Sequence, residues 1–159
     1  MAKIMVSGAT GLVGSELLPL LQAGDYGVSR LVREYSAVDG GDVFWDPAAG
    51  ELDTAALEGV EAVVHLAGEN IAAGRWNNAR KKRIRESRVD GTRLLCAKLV
   101  EMPTPPKVLI CASAIGYYGE RGDEELAEEA AAGEGFLPDV CREWEESTEA
   151  AASAGIRVI

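Results

Sequence analysis

Cysteine is scarce and histidine scarcer, with three of the first and one of the second in 159 residues. Cys96, Cys111 and Cys141 are odd in number and widely spaced, with no CxxC pair. Neither a disulfide framework nor a metal site is expected from them, and they read as buried thiols. Long apolar runs are also missing. The first run, KIMVS at 3–7, meets Gly8 at once, too soon for a membrane-spanning helix or the apolar core of a secretory signal. Acidic residues outnumber basic ones 26 to 16, a formal charge of −10, which argues against a general nucleic-acid binder. What is present, at 47% hydrophobic, has the composition of one globular domain over residues 1–159. The expected setting is the cytoplasm, and the expected partner a small molecule rather than a nucleic acid or a membrane.

Strand-length apolar runs alternate with helical periodicity. KIMVS (3–7) is followed by LVGSELLPLLQAG (12–24) and VSRLV (28–32), the start of a βαβ unit. The pattern continues with VFW (43–45), a short helical segment near 54–57, EAVVHLAG (61–68), a long charged helix over about 77–100, and VLICASA (108–114). A further helix is expected over about 135–154. Each strand is apolar on both faces, as a parallel sheet covered by crossover helices requires. Breakers fall between elements, at Gly40-Gly41, Pro47 and the stretch 102–106.

Two charge blocks stand out. Residues 75–88 carry seven bases and one acid, and residues 120–134 carry seven acids against Arg121. The acidic block reads as a solvated loop. The basic block reads as a solvated helix face, or as a face with one or two arginines turned inward toward a phosphate. Trp76 is its only aromatic residue, too few for a nucleic-acid surface.

The residues richest in chemistry follow the first strand. GATGLVG places Gly8, Gly11 and Gly14 at intervals of three where a helix opens. Gly8 turns the chain out of the strand, Gly11 lets backbone N–H groups approach a pyrophosphate, and Gly14 lets the helix pack on the sheet. Thr10 adds a hydroxyl, and Leu12 and Val13 complete a helix N-terminus suited to phosphate. After the second strand come Arg33 and Glu34. An arginine there meets the 2′-phosphate of NADP(H), whereas an acid would bond the ribose of NAD(H), so NADP(H) is favoured. Leu66, Ala67 and Gly68 end the next long strand beside the switch point of such a sheet, leaving room for a nucleotide. Glu69 and Asn70 then either orient a ligand or cap the loop. His65 invites a catalytic role as the only histidine, but its strand setting favours a packed side chain with one nitrogen satisfied.

With these stretches and WDPAAGELD (45–53), VVHLAGENIAAGRW (63–76), RIRESRVDGTRLL (83–95), SAIGYYG (113–119) and FLPDVCREWE (136–145), the chain resembles the epimerase-family group of atypical short-chain dehydrogenase/reductases. The resemblance implies a Rossmann-like doubly wound sheet binding NADP(H), with Arg33 at the adenosine phosphate, Leu66 and Ala67 along the cofactor, and Arg88 reaching in from the long helix. It also implies about as much chain again in the relatives, holding most of the substrate region. The sequence ends within the apolar segment AGIRVI, so an amino-terminal portion with an open sheet edge is expected, and a homodimer through that edge.

The parent superfamily carries a Ser or Thr after the fifth strand and then YxxxK. Ser113 matches the first, but residues 136–140 read FLPDV, and no lysine follows Lys107. Tyr117 and Tyr118 are the nearest phenols, with Arg142 the nearest cation to activate them; packing is their other reading. The catalytic candidates are therefore Ser113, Tyr117 and Tyr118 in an NADP(H)-dependent oxidoreductase or epimerase-like enzyme. The alternative is a non-catalytic module that senses NADP(H) or redox state. Trp144 is expected to pack its helix on the sheet.

Overall fold

A computed structural model describes residues 1–34 and 40–159. The first βαβ unit runs β1 (Lys3–Ser7), α1 (Leu12–Ala23) and β2 (Gly27–Val32), followed by β3 (Val43–Asp46), β4 (Glu51–Leu52) and a 3₁₀ turn at Ala55–Leu57. Then come β5 (Val60–His65), α2 (Asn78–Val100), β6 (Val108–Cys111), a second 3₁₀ turn at Ile115–Tyr118, α3 (Phe136–Glu146), α4 (Glu149–Ser153) and β7 (Arg157–Val158).

One seven-stranded sheet results, in the order β4-β3-β2-β1-β5-β6-β7. All pairings are parallel except β3 with β4. Without β4 the order is that of a Rossmann sheet. Ser7 pairs with Leu31 on one side and His65 on the other. The chain therefore leaves β1 in one direction for β2 and returns on its other side at β5, and the crevice at this switch point lies outside the ends of β1 and β5.

β4 departs from the all-parallel expectation. The Asp46 carboxylate accepts the N–H groups of Ala48 and Ala49 at 2.9 and 3.2 Å, and Gly50, at φ +73°, reverses the chain. The short hairpin brings Leu52 opposite Trp45. The single helix expected over 135–154 is two helices. The hydroxyls of Ser147 and Thr148 donate back to the carbonyls of Trp144 and Glu145 at 2.5 and 2.7 Å, local bonds that compete with continued helix.

Alternation along the strands feeds two cores. Met5, Leu31, Val63 and Leu109 face α2 and α4, where they pack with Leu95, Leu99, Ala151 and Ile156. Val6 and Val64 face α1, with Leu17, Leu18 and Leu21 against them. Beyond the reach of α1, Ile110 is 41% exposed and Ile159 58% on the second face. α2 buries Ile84, Thr92, Leu95, Cys96 and Leu99 among others, and Asn77 caps it by accepting the Arg80 N–H at 2.9 Å.

No helix among the described residues is long and apolar enough to cross a membrane. Among those residues no cluster of His, Cys, Asp or Glu suits a metal ion, and all three cysteines are free thiols. Cys96 and Cys141 are buried, whereas Cys111 is only half-buried. Burial pushes the Cys96 thiol up to about 12 and Cys111 up to about 11, so neither is a thiolate at neutral pH.

Candidate functional site

The glycine turn is built by steric necessity. Gly8 has φ +68°, and a β-carbon there would lie 2.6 Å from the Leu66 carbonyl and 2.8 Å from Ala67 N. A β-carbon at Gly14 would lie 2.4 Å from the Gly8 oxygen, so helix and turn touch through bare backbone. The Gly11 N–H closes the turn on the Gly8 carbonyl at 3.0 Å. The outward donors fall one turn later: the first bond inside α1 is from Ser15 to Gly11, which leaves the N–H groups of Leu12, Val13 and Gly14 without intrahelical acceptors. Beside them Leu12 is 88% exposed and Val13 60%, unusual for apolar side chains and apt for a ligand to cover. Thr10 is exposed at the same rim.

Across the crevice, Leu66 and Ala67 turn their N–H groups onto Ser7 Oγ at 3.1 and 3.3 Å. Gly68 lies over Arg88, close enough that a β-carbon would sit 3.2 Å from the guanidinium carbon. Arg88 stacks on the Trp144 ring at 5.2 Å and donates through Nη1 to the carbonyls of Glu69 and Ile84. It is half-buried, and that burial pulls its pKa down, opposed by the nearby Cys141 and Glu69. Among the described residues no carboxylate lies within ion-pair distance of it. Arg80 also turns inward, bonding the Asn70 carbonyl and facing Glu69 at 3.9 Å. Two arginines of the basic block thus turn inward, Arg80 within ion-pair distance of an acid and Arg88 not.

The loop after β5 folds on itself. Asn70 Oδ1 accepts the Ala72 N–H at 2.8 Å, and Glu69 faces Arg80 and Arg83, each at 3.9 Å. These residues shape the loop. Arg33 and Glu34 are exposed after β2, and residues 35–39, which continue that rim, lie outside the described residues.

Ser113 stands two residues past β6 and donates to Glu145 Oε1 of α3 at 2.5 Å. Spacing in the sequence offered no signal for Glu145. Tyr117 and Tyr118 pack edge to face at 5.3 Å, and neither hydroxyl makes a hydrogen bond to a described residue. Arg142 does not serve them, being paired with Asp139 one turn away. Phe136 opens α3 with its ring edge-on to Trp76 at 5.8 Å and the Lys81 ammonium 5.2 Å from its centre.

His65 is fully buried with both nitrogens engaged, not one: Nδ1 with Ser7 Oγ at 2.6 Å and Nε2 with Thr92 Oγ1 at 3.0 Å. Burial lowers its pKa to about 4 and keeps it neutral. Trp144 packs its helix on α2 through a bond from Nε1 to Thr92 Oγ1 at 3.0 Å. A separate cleft of about 730 Å³, lined by Asp42, Glu51, Asp53 and Lys98 among others, opens near the amino end of β3, away from this crevice.

Comparisons agree with this architecture. An epimerase family protein of Mycobacterium bovis is 41% identical over 158 residues, covering 99% of this chain and 52% of that protein. The human epimerase family protein SDR39U1 is 32% identical over 146 residues, 90% of this chain and 47% of its own length. The chain thus spans about half the length of the curated relatives it matches. Among solved structures, the nucleoside-diphosphate sugar epimerase of Corynebacterium glutamicum superposes with a TM-score of 0.83 at 41% identity, over 99% of this chain and 32% of that one. Human SDR39U1 (isoform 2) with NADPH gives 0.77 at 30% identity, over 92% and 48%. The profile of one family matches residues 4–138, from the first strand through the glycine turn and the Gly68 loop to the start of α3. With the sheet order, the turn and these relatives in agreement, the chain belongs to the NAD dependent epimerase/dehydratase family.

Proposed function

We propose that this chain is the NADP(H)-binding domain of a short-chain-dehydrogenase-type oxidoreductase or epimerase-like enzyme whose proton handling does not use a Tyr-Lys pair. The observation that carries the cofactor is the cradle at Gly8 and Gly14, where side chains have no room and three helix amides stay open. Such a cradle fits a pyrophosphate. Gly8, Gly11, Leu12, Val13 and Gly14 would hold it, with Thr10 at the rim. Leu66, Ala67 and Gly68 would run alongside the dinucleotide, and Arg88 would neutralise an oxyanion. Arg33 would form a charge-assisted pair with the 2′-phosphate. The human relative crystallised with NADPH supports this choice over NAD(H).

The bound cofactor supplies or accepts a hydride, which leaves the protein to move a proton. Ser113, hydrogen-bonded to Glu145, is the group best arranged to pass one between a substrate hydroxyl and a carboxylate. Tyr117 and Tyr118 are the remaining candidates. On the resemblance of residues 136–140 to the superfamily's YxxxK stretch, Phe136 and Val140 take the places of Tyr and Lys; a phenyl ring transfers no proton and an isopropyl group lowers no pKa. That pair also favours a second reading, a module that binds NADP(H) and reports on it to a partner.

Calorimetry at one salt concentration tests the cofactor. NADPH is expected to bind more tightly than NADH, and Arg33→Ala to remove most of the difference; equal affinities in the unaltered protein count against the assignment. Turnover of a carbonyl or sugar substrate that falls in both Ser113→Ala and Glu145→Gln supports the enzyme, whereas absence of turnover with NADPH binding intact supports the module.

A further inference from the structure

Ser7, His65, Thr92 and Trp144 come from β1, β5, α2 and α3, and all four are buried. The capacity of each atom gives every bond between them a direction. Ser7 Oγ accepts the N–H of Ala67 at 3.3 Å and shares that of Leu66, at 3.1 Å, with the Ser7 carbonyl at 3.2 Å. Its own proton then has one acceptor among the described residues, His65 Nδ1 at 2.6 Å. A ring nitrogen that accepts is bare, so in the neutral ring the proton sits on Nε2 and is donated to Thr92 Oγ1 at 3.0 Å. Trp144 Nε1, which can only donate, reaches the same oxygen at 3.0 Å. The opposite tautomer would aim three donors at Ser7 Oγ and leave its hydroxyl proton buried without an acceptor.

We propose that His65, held as the Nε2–H tautomer, is a positioning residue that sets the register between the dinucleotide seat and the helix carrying Glu145. The inference rests on reading residues 8–14 and 66–68 as that seat. At one end the chain of bonds fixes the N–H groups of Leu66 and Ala67, whose backbone packs against Gly8. At the other end it fixes Trp144, the neighbour of Glu145, which receives the Ser113 hydrogen bond. The imidazole is the rigid spacer between them. Trp45 packs edge-on against it with ring centres 5.9 Å apart and opposes its rotation. A flexible side chain would let seat and helix drift independently, and a misplacement of about 1 Å is costly where reacting groups must be aligned.

His65 is the only histidine, so the ¹⁵N spectrum of the untagged protein carries one imidazole and needs no assignment by mutation. A protonated Nε2 and bare Nδ1 at neutral pH are expected; the reverse pattern, or a doubly protonated ring, overturns the proposal. Thr92→Val removes the acceptor for Nε2–H at constant shape. It is expected to speed amide exchange at Leu66 and Ala67 about tenfold beyond any change in global stability and to weaken NADPH binding about as much, and Thr92→Ser to restore both. Unchanged exchange and affinity in a folded Thr92→Val overturn the proposal. Should that variant not fold, Trp144→Phe, which removes the far donor but also shrinks the ring on which Arg88 stacks, is read on the exchange of the two amides alone, and unchanged exchange there overturns the proposal. Failure of the unaltered protein to bind NADPH sinks the reading of the seat, while the tautomer and the two amides still decide the register.

Discussion

Arg88 lies directly beneath Gly68, with only 3.2 Å between its guanidinium carbon and the place a β-carbon at residue 68 would occupy. The arginine end is the far tip of a flexible side chain, so it can yield where backbone cannot. Gly68→Ala is therefore expected to leave stability within about 0.5 kcal/mol while displacing the guanidinium and weakening NADPH binding. Thermal melts and calorimetry on the same preparation check both halves.

Gly8 and Gly14 have no such slack, because their neighbours are backbone. Gly8→Ala combines a left-handed φ of +68° with a β-carbon 2.6 Å from Leu66, and Gly14→Ala would press on the Gly8 carbonyl at 2.4 Å. Each is expected to cost more than about 2 kcal/mol. Gly50→Ala, with φ +73° but open space around it, should cost only about 1 kcal/mol. Urea unfolding midpoints give the ranking, and equal losses at all three positions would contradict it.

The buried imidazole links stability to acid. His65 titrates at about 4 in the folded chain against 6.5 in the unfolded one, so the unfolded state takes up the proton first as pH falls. This group contributes no pH dependence above about 6.5, an increasing loss of stability from there to about pH 4, and no further change below. The total is on the order of 3 kcal/mol. Urea unfolding at pH 7.0, about 5.5 and about 4.5 measures the slope, and a His65→Gln variant should lack this part of it.

β7 forms one edge of the sheet, and Ile159 and Ile110 stand exposed beside it. An unpaired strand edge with apolar neighbours pairs readily with another chain. Self-association is expected at micromolar concentration, through this edge, and Ile110→Lys should weaken it. Sedimentation equilibrium reads the outcome; a monomer throughout that range removes the edge as an interface.

Much of the molecule was legible because its causes are local. Short runs apolar on both faces marked the strands, and the long charged stretch closed by the breakers at 102–106 marked α2. The glycines of the turn could be placed because a chain leaving a strand into a closely packed helix has few residues that fit. Local rules failed where a few polar side chains outweighed them: Asp46 made a hairpin that the expected parallel sheet did not contain, and Ser147 with Thr148 broke a helix whose pattern ran on. The site's connections were of another kind. His65 meets partners 58 and 27 residues away, and Ser113 meets Glu145 across 32. Periodicity says which face a residue occupies but nothing about which residue of a distant element lies opposite. That register is set by how the sheet orders its strands and by how deeply α2 and α3 settle on it, so local pattern reaches as far as the glycine turn after β1, whereas the packing of distant elements alone puts His65 between that turn and the helix holding Glu145.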